Sequence, residues 1–200
     1  MRLLASRLCI DRGGRRIVSD VSFEMTSGVL LITGENGAGK SSLLRVLAGL
    51  LPPSDGSFSI EGADDVDVPL LYLGHRDGLK PQLTVRENLR FAADFLRQGD
   101  AVVDPLAALS AYGMEGTIDV PVGFLSTGQR RRVALARLLV SPRPLWLLDE
   151  PTNGLDFQSI ARFEECVKAH VSRGGIVLAA THAPLRVPAR ELRLRASHDS

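Results

Sequence analysis

The sequence predicts an α/β fold: a buried parallel sheet with helices against it, an antiparallel β flank near the N-terminus and a helical insertion in the middle. Three observations carry this prediction. The stretches "GVLLIT" (28–33), "LWLL" (145–148) and "IVLAA" (176–180) are unbroken apolar runs of strand length, as expected for strands covered on both faces. Helical-period segments lie between such runs, among them "SSLLRVLAGL" (41–50) and "DFQSIARFEECVKAHVS" (156–172). From Thr84 the pattern turns helical, with Ser/Thr-x-x-Glu/Gln spacings at Thr84/Glu87 and Ser126/Gln129 that signal helix starts.

In chain order, Leu3 to Ile10 and "IVSDVSFEM" read as two strands around the Gly-Gly turn in "RGGRR", the second alternating apolar and polar residues. "GVLLIT" runs into a glycine-rich loop and then a helix, which is one half of a βαβ unit. "LLPPSDGSFSIEG" supplies a Pro/Gly loop and a short strand, and "VPLLYLG" a further strand. Thr84 and Glu87 open the helix "TVRENLRFAADFLRQ"; residues 101–112 are also predicted helical, and Ser126 with Gln129 opens "RRRVALARLLV". The last residues, "ASHDS", are expected to fray.

At 200 residues the chain fits one domain with its own core, and 44% hydrophobic with 24% charged residues is ordinary globular composition. A net charge of +1 and only 5% aromatic residues give no reason to expect nucleic acid as a partner. Arg130, Arg131 and Arg132 form a local basic cluster, expected to be a solvated helix face. Cys9 and Cys166 lack the spacing of a zinc site or disulfide framework, which fits a reducing cytoplasm. The opening "MRLLASRLCIDRGGRR" reaches charge too soon for a signal peptide, and no apolar run is long enough to span a bilayer, so membrane work would need a partner.

"ITGENGAGKSS" places Gly34, then four residues, then Gly39, Lys40 and Ser41 between a strand and a helix, the context a phosphate-binding loop requires. The loop from Gly34 through Glu35, Asn36, Gly37 and Ala38 to Gly39 would turn backbone N–H groups toward a β-phosphate. Lys40 would bridge β- and γ-phosphates, Ser41 would ligate Mg²⁺ and Ser42 would extend the cradle. "LWLLDEPTNGLD" delivers Asp149 to a strand end, where it could hold the metal's water shell. Glu150 follows, placed to take a proton from, or orient, the water that attacks the γ-phosphate.

With "LSTGQ" at Leu125 to Gln129 and "IVLAATH" ending at His182, these motifs resemble ABC-transporter ATPase subunits over nearly the whole chain. The resemblance implies a P-loop NTPase core of the ABC ATPase type, about 1–75 and 140–200, with the helical insertion at about 76–139. It implies a head-to-tail homodimer holding two ATP molecules with Mg²⁺, each between one subunit's P-loop and the other's Ser126, Gly128 and Gln129. Asp156 would communicate across the interface, and His182 would contact the γ-phosphate and position Glu150.

Two positions depart from the usual family pattern. His75 stands where most members carry a glutamine that touches Mg²⁺ or its water. Magnesium prefers oxygen ligands, so His75 is expected to act through a bound water or the γ-phosphate. Arg12 stands where an aromatic ring usually meets adenine; a guanidinium can stack on a base as well. With His75, the segments "LLYLGHRDGLKPQLTVRENLRF" and "LSTGQRRRVALARLLV" closely resemble the ATP-binding subunits of bacterial cytochrome c maturation systems. That resemblance implies haem export, with integral membrane permease subunits as partners at the cytoplasmic face of the inner membrane. Chromosome or DNA-repair ATPases share the nucleotide site, but the short insertion carries neither sustained heptads nor metal-ligand cysteines.

Overall fold

Gly13 and Gly14, at φ 59° and 77°, both take the left-handed conformation that a two-residue hairpin turn needs. They join β1 (Arg2–Arg12) to β2 (Arg15–Met25), with Arg12 opposite Arg15. Strand β4 (Asp55–Glu61) pairs antiparallel with the other edge of β1, giving a three-stranded sheet in the order β2-β1-β4. The structure, a computed structural model, describes residues 1–62, 70–95 and 104–195.

The second sheet is parallel throughout, in the order β5-β6-β7-β3-β8, with β3 (Gly28–Thr33), β5 (Leu70–Leu73), β6 (Leu145–Asp149), β7 (Ile176–Ala180) and β8 (Arg190–Arg193). Every residue of β6 and β7 is buried, as the apolar runs 145–148 and 176–180 require, and Asp149 ends β6 as a buried carboxylate. Side-chain alternation divides the core. Leu145, Leu147, Ile176 and Leu178 face Leu43, Leu44, Val46 and Leu47 of α1 (Lys40–Leu47) and the inner face of the antiparallel flank. Trp146, Leu148, Val177 and Ala179 face the other helices.

Those helices are α2 (Val85–Phe95), α3 (Pro105–Ser110), α4 (Thr127–Val140) and α5 (Phe157–Ser172). Thr84 and Glu87 cap α2 reciprocally: Thr84 N–H donates to Glu87 Oε2 at 2.7 Å, and Glu87 N–H to Thr84 Oγ1 at 3.2 Å. The expected continuation of α2 through 96–98, the first residues of the 101–112 helix and the fraying of 196–200 lie outside the described residues. Strand β8 is an addition to the expected set. It is a charged edge strand that, among the described residues, pairs with β3 alone, so it lacks the apolar run that marks its neighbours.

Strands β3, β6 and β7 run in the same direction, with β7 between the other two, so the loops after their C-terminal ends gather at one edge of the sheet. Among the described residues, no helix is long and apolar enough to cross a membrane.

Candidate active site

The loop after β3 is built on left-handed glycines: Gly34, Gly37 and Gly39 have φ of 141°, 87° and 91°. Space enforces two of them. A Cβ on Gly34 would lie 2.5 Å from the Leu194 carbonyl oxygen, and one on Gly39 would lie 2.5 Å from Val18 Cγ2. Gly39 is the N-cap of α1 and offers no side-chain cap, so the first N–H groups of that helix point outward unclaimed by any capping oxygen. Ala38 packs into the core beneath the loop.

Lys40 is 7% exposed, and its ammonium donates to the carbonyls of Gly34 (2.8 Å) and Glu35 (3.0 Å). Its third neighbour is His182 Nε2 at 3.1 Å. An ammonium only donates, so this imidazole nitrogen accepts. Three strand ends have thereby met: the loop after β3, His182 beyond β7 and, through Ser41, β6. The Ser41 hydroxyl donates to Asp149 Oδ1 at 2.9 Å, and Asp149 is 2% exposed. Glu150, the next residue, has φ 49°, a left-handed conformation that costs a non-glycine residue about 1–3 kcal/mol and recurs at functional sites. That turn sets its carboxylate beside His182, with Oε1 3.5 Å from Nε2 and Oε2 accepting from the His182 N–H at 3.4 Å.

Lys40, Ser41, Glu150 and His182 line a 710 Å³ cleft, together with Arg12, Asn36, Gly37, Ser42 and the turn Thr152 to Gly154, with Asp149 buried behind Ser41. That volume suits a nucleotide, and the chemistry suits its phosphates: one ammonium, open backbone donors at a helix N-terminus and a carboxylate positioned for proton transfer. Thr152, Asn153, Gly154 and Ile17 were not singled out from the sequence; the first three lie within the quoted "LWLLDEPTNGLD", whose second half forms the cleft's rim.

Other residues expected at the site stand apart from this cleft within a single chain. Ser126, Gly128 and Gln129 do not line it. They form the N-terminus of α4, where Ser126 N–H donates to Gln129 Oε1 (2.8 Å) and Gln129 N–H to Ser126 Oγ (3.2 Å). A Cβ on Gly128 would lie 3.1 Å from the Gly154 carbonyl oxygen, so α4 begins hard against the cleft's rim. Asp156 caps α5 by accepting from Ser159 N–H at 2.7 Å, and that bond holds its carboxyl below the usual range. His75 is exposed and is not among the described residues that line the cleft.

One expectation about the basic cluster fails. Arg131 is 4% exposed rather than solvated, and its guanidinium binds the carbonyls of Gly74, Asp149, Glu150 and Pro151 and the Asp77 carboxylate. Arg130 also turns inward, donating to the Leu125 carbonyl at 2.7 Å. Helical periodicity places neither, because both are drawn in by carbonyls at strand and loop ends rather than by apolar packing.

The donor set can be tested against a divalent cation. Ser41 and the buried Asp149 present hard oxygens 2.9 Å apart, and no cluster of three or more His, Cys, Asp or Glu that could hold a metal exists among the described residues. Hard oxygens in this arrangement suit Mg²⁺, which takes one or two protein oxygens and completes its shell with water and substrate phosphates.

Comparison with known proteins identifies the family and the fold. Residues 18–153 match the family described as ABC transporter. The chain is similar to the cytochrome c biogenesis ATP-binding export protein CcmA of Chelativorans sp. (strain BNC1), at 53% identity over 92% of this chain and 93% of that protein. The CcmA protein of Mesorhizobium japonicum is 50% identical over 97% of this chain and 98% of its own length. Among solved structures, a dimeric ATP-binding cassette in a post-hydrolysis state bound to ADP and Pi shares the fold, with a TM-score of 0.82, 22% identity, and coverage of 98% of this chain and 97% of that one.

Proposed function

This chain belongs to the ABC transporter family as an ATPase subunit of the cytochrome c biogenesis export type, and we propose that it works as a head-to-tail homodimer that cleaves two ATP molecules at its interface. The observation that carries this reading is the convergence of Lys40, Ser41, Asp149, Glu150 and His182 at one cleft, joined by contacts of 2.9 to 3.5 Å.

ATP enters with its β- and γ-phosphates at the N-terminus of α1. Lys40 then exchanges its contacts with the Gly34 and Glu35 carbonyls and His182 for phosphate oxygens. With the ammonium gone, His182 can take the tautomer that carries its proton on Nε2 and donate it to a γ-phosphate oxygen, beside the carboxylate of Glu150. Glu150 orients a water and accepts its proton as the water oxygen attacks the γ-phosphorus; the bond from that phosphorus to the bridging oxygen breaks, leaving ADP and phosphate. Ser41, with Asp149 through water, would hold Mg²⁺, whose charge offsets that building up on the phosphate oxygens. Arg12, at the edge of the cleft, stacks on the base.

The second half of each site comes from the partner copy. Ser126 and Gln129 bind each other, which leaves the N–H groups of Thr127 and Gly128 at the start of α4 without an intrahelical partner. These donors meet the γ-phosphate held by the mate's Lys40, and Asp156 lies at the same interface. His75 acts through water at the junction between the nucleotide and the insertion at about 76–139. Closure of the dimer moves integral membrane permease subunits at the cytoplasmic face of the bacterial inner membrane, with haem export for cytochrome c maturation as the output. The likeness to the Chelativorans and Mesorhizobium proteins over nearly the full chain supports that pathway.

The test is genetic and chemical together. In the source bacterium, replacing the chain with its Glu150→Gln form should abolish covalently haem-bearing c-type cytochromes, read by haem staining of membranes. Normal cytochrome c levels in that strain would remove the maturation reading, and phosphate release by the purified protein would still report on the ATPase.

A further inference from the structure

Arg131 is a buried cation outside the cleft, and its whole guanidinium is committed to backbone and carboxylate oxygens. Its Nε donates to the Pro151 carbonyl at 3.1 Å. One terminal nitrogen donates to the carbonyls of Asp149 (3.0 Å) and Glu150 (2.7 Å), and the other to the Gly74 carbonyl (3.2 Å) and Asp77 Oδ1 (3.0 Å). All three guanidinium nitrogens are used, and only a planar fork of fixed geometry reaches so many acceptors at once. Arg137, also on α4, pins the same turn by donating to the Asp77 carbonyl at 3.0 Å.

Three successive carbonyls, those of Asp149, Glu150 and Pro151, are therefore held by one side chain across the residue that bears the strained φ of 49°. The side chain belongs to α4, whose exposed N-terminus lies five residues earlier on the same rigid helix. The backbone of Arg131 moves with that N-terminus as part of one helix, and its guanidinium is bonded to the backbone that carries the Glu150 carboxylate.

We propose that Arg131 is a positioning residue that couples the two nucleotide sites of the dimer: engagement of the mate's ATP by the start of α4 sets the placement of Glu150 in this chain's own cleft. The inference rests on the head-to-tail reading. It adds that the two sites communicate within each subunit through a helix and a single guanidinium, and that the Gly74–Asp77 turn, which carries His75, is tied to the same hub.

The experiment measures phosphate release against ATP concentration for wild type, Arg131→Lys and Asp77→Asn, each with its membrane partners. Wild type should respond cooperatively. Arg131→Lys keeps the charge but not the fork, so kcat should fall about tenfold, KM should stay within about twofold, and the Hill coefficient should drop to about 1. Asp77→Asn should move the Hill coefficient in the same direction by less, and it serves alone if Arg131→Lys does not fold. Cooperativity retained in the folded variants, or absent from wild type, overturns the coupling. ATP-dependent dimerisation of Glu150→Gln, and of Glu150→Gln with Arg131→Lys, separates the two ideas: loss of dimerisation in Glu150→Gln itself contradicts the head-to-tail reading instead.

Discussion

The N-termini of α1 and α4 are two solutions to the same problem, and they differ in one respect that sorts their roles. Both helices begin beside a glycine and both leave backbone N–H groups without intrahelical acceptors. At α1 the N-cap is Gly39, which brings no side-chain oxygen, and the end opens into the cleft beside Lys40. At α4 the cap is complete: Ser126 and Gln129 satisfy each other's backbone N–H groups, and the end abuts the rim at Gly154 without lining its own chain's cleft. The first is a site waiting for an anion, with a cation already in place. The second is a finished, rigid end with two spare donors, suited to closing over phosphates that another molecule brings.

The largest expected effect strikes the open end. Lys40→Ala removes the cation that replaces its carbonyl and imidazole contacts with phosphate contacts, so ATP turnover should fall by about 10³-fold or more in a phosphate-release assay. Gly39→Ala forces a side chain onto φ 91° with its Cβ 2.5 Å from Val18 Cγ2. It should lower stability by about 1–2 kcal/mol from the backbone alone, read by urea unfolding, and weaken nucleotide binding. The capped end should respond less: Ser126→Ala should cost about 1 kcal/mol of stability while leaving nucleotide binding to the isolated chain unchanged. Equal losses of isolated-chain binding from Gly39→Ala and Ser126→Ala would erase the distinction.

Smaller effects test residues away from both ends. His75 is exposed and outside the cleft, so His75→Gln should preserve most turnover and His75→Ala should slow it modestly. Equal rates in all three forms would remove His75 from the mechanism. The smallest effect concerns acid pH. The Asp156 carboxyl sits below its unfolded value because it accepts from Ser159 N–H, so its contribution to stability is present above the unfolded value of about 3.8 and is lost as pH falls through the folded one. Asp156→Asn should flatten that part of the stability profile followed by circular dichroism.

Much of this architecture is readable from composition and spacing because it depends on local rules. The runs 28–33, 145–148 and 176–180 became β3, β6 and β7 since a parallel strand covered on both faces admits few polar residues. The spacings at Thr84/Glu87 and Ser126/Gln129 became reciprocal caps because both partners lie within one helical turn. Strand β8 leaves no such mark in the sequence, because an edge strand with charged residues has no apolar pattern. Arg131 leaves none for a deeper reason: its acceptors are backbone carbonyls of Gly74, Asp149, Glu150 and Pro151, and a carbonyl carries no sequence signature. The meeting of Lys40 with His182, 142 positions apart, follows from the β6-β7-β3 order, which only the assembled sheet displays.

The most direct measurement is the mass of the Glu150→Gln protein by sedimentation with Mg²⁺ and saturating ATP, compared with the same protein in ADP. On the proposed head-to-tail arrangement, the uncapped start of α1 holds the phosphates and the capped start of α4 meets them from a second copy, so the protein should sediment as a dimer in ATP and as a monomer in ADP. A monomer in both nucleotides, even with the membrane subunits present, would contradict the account.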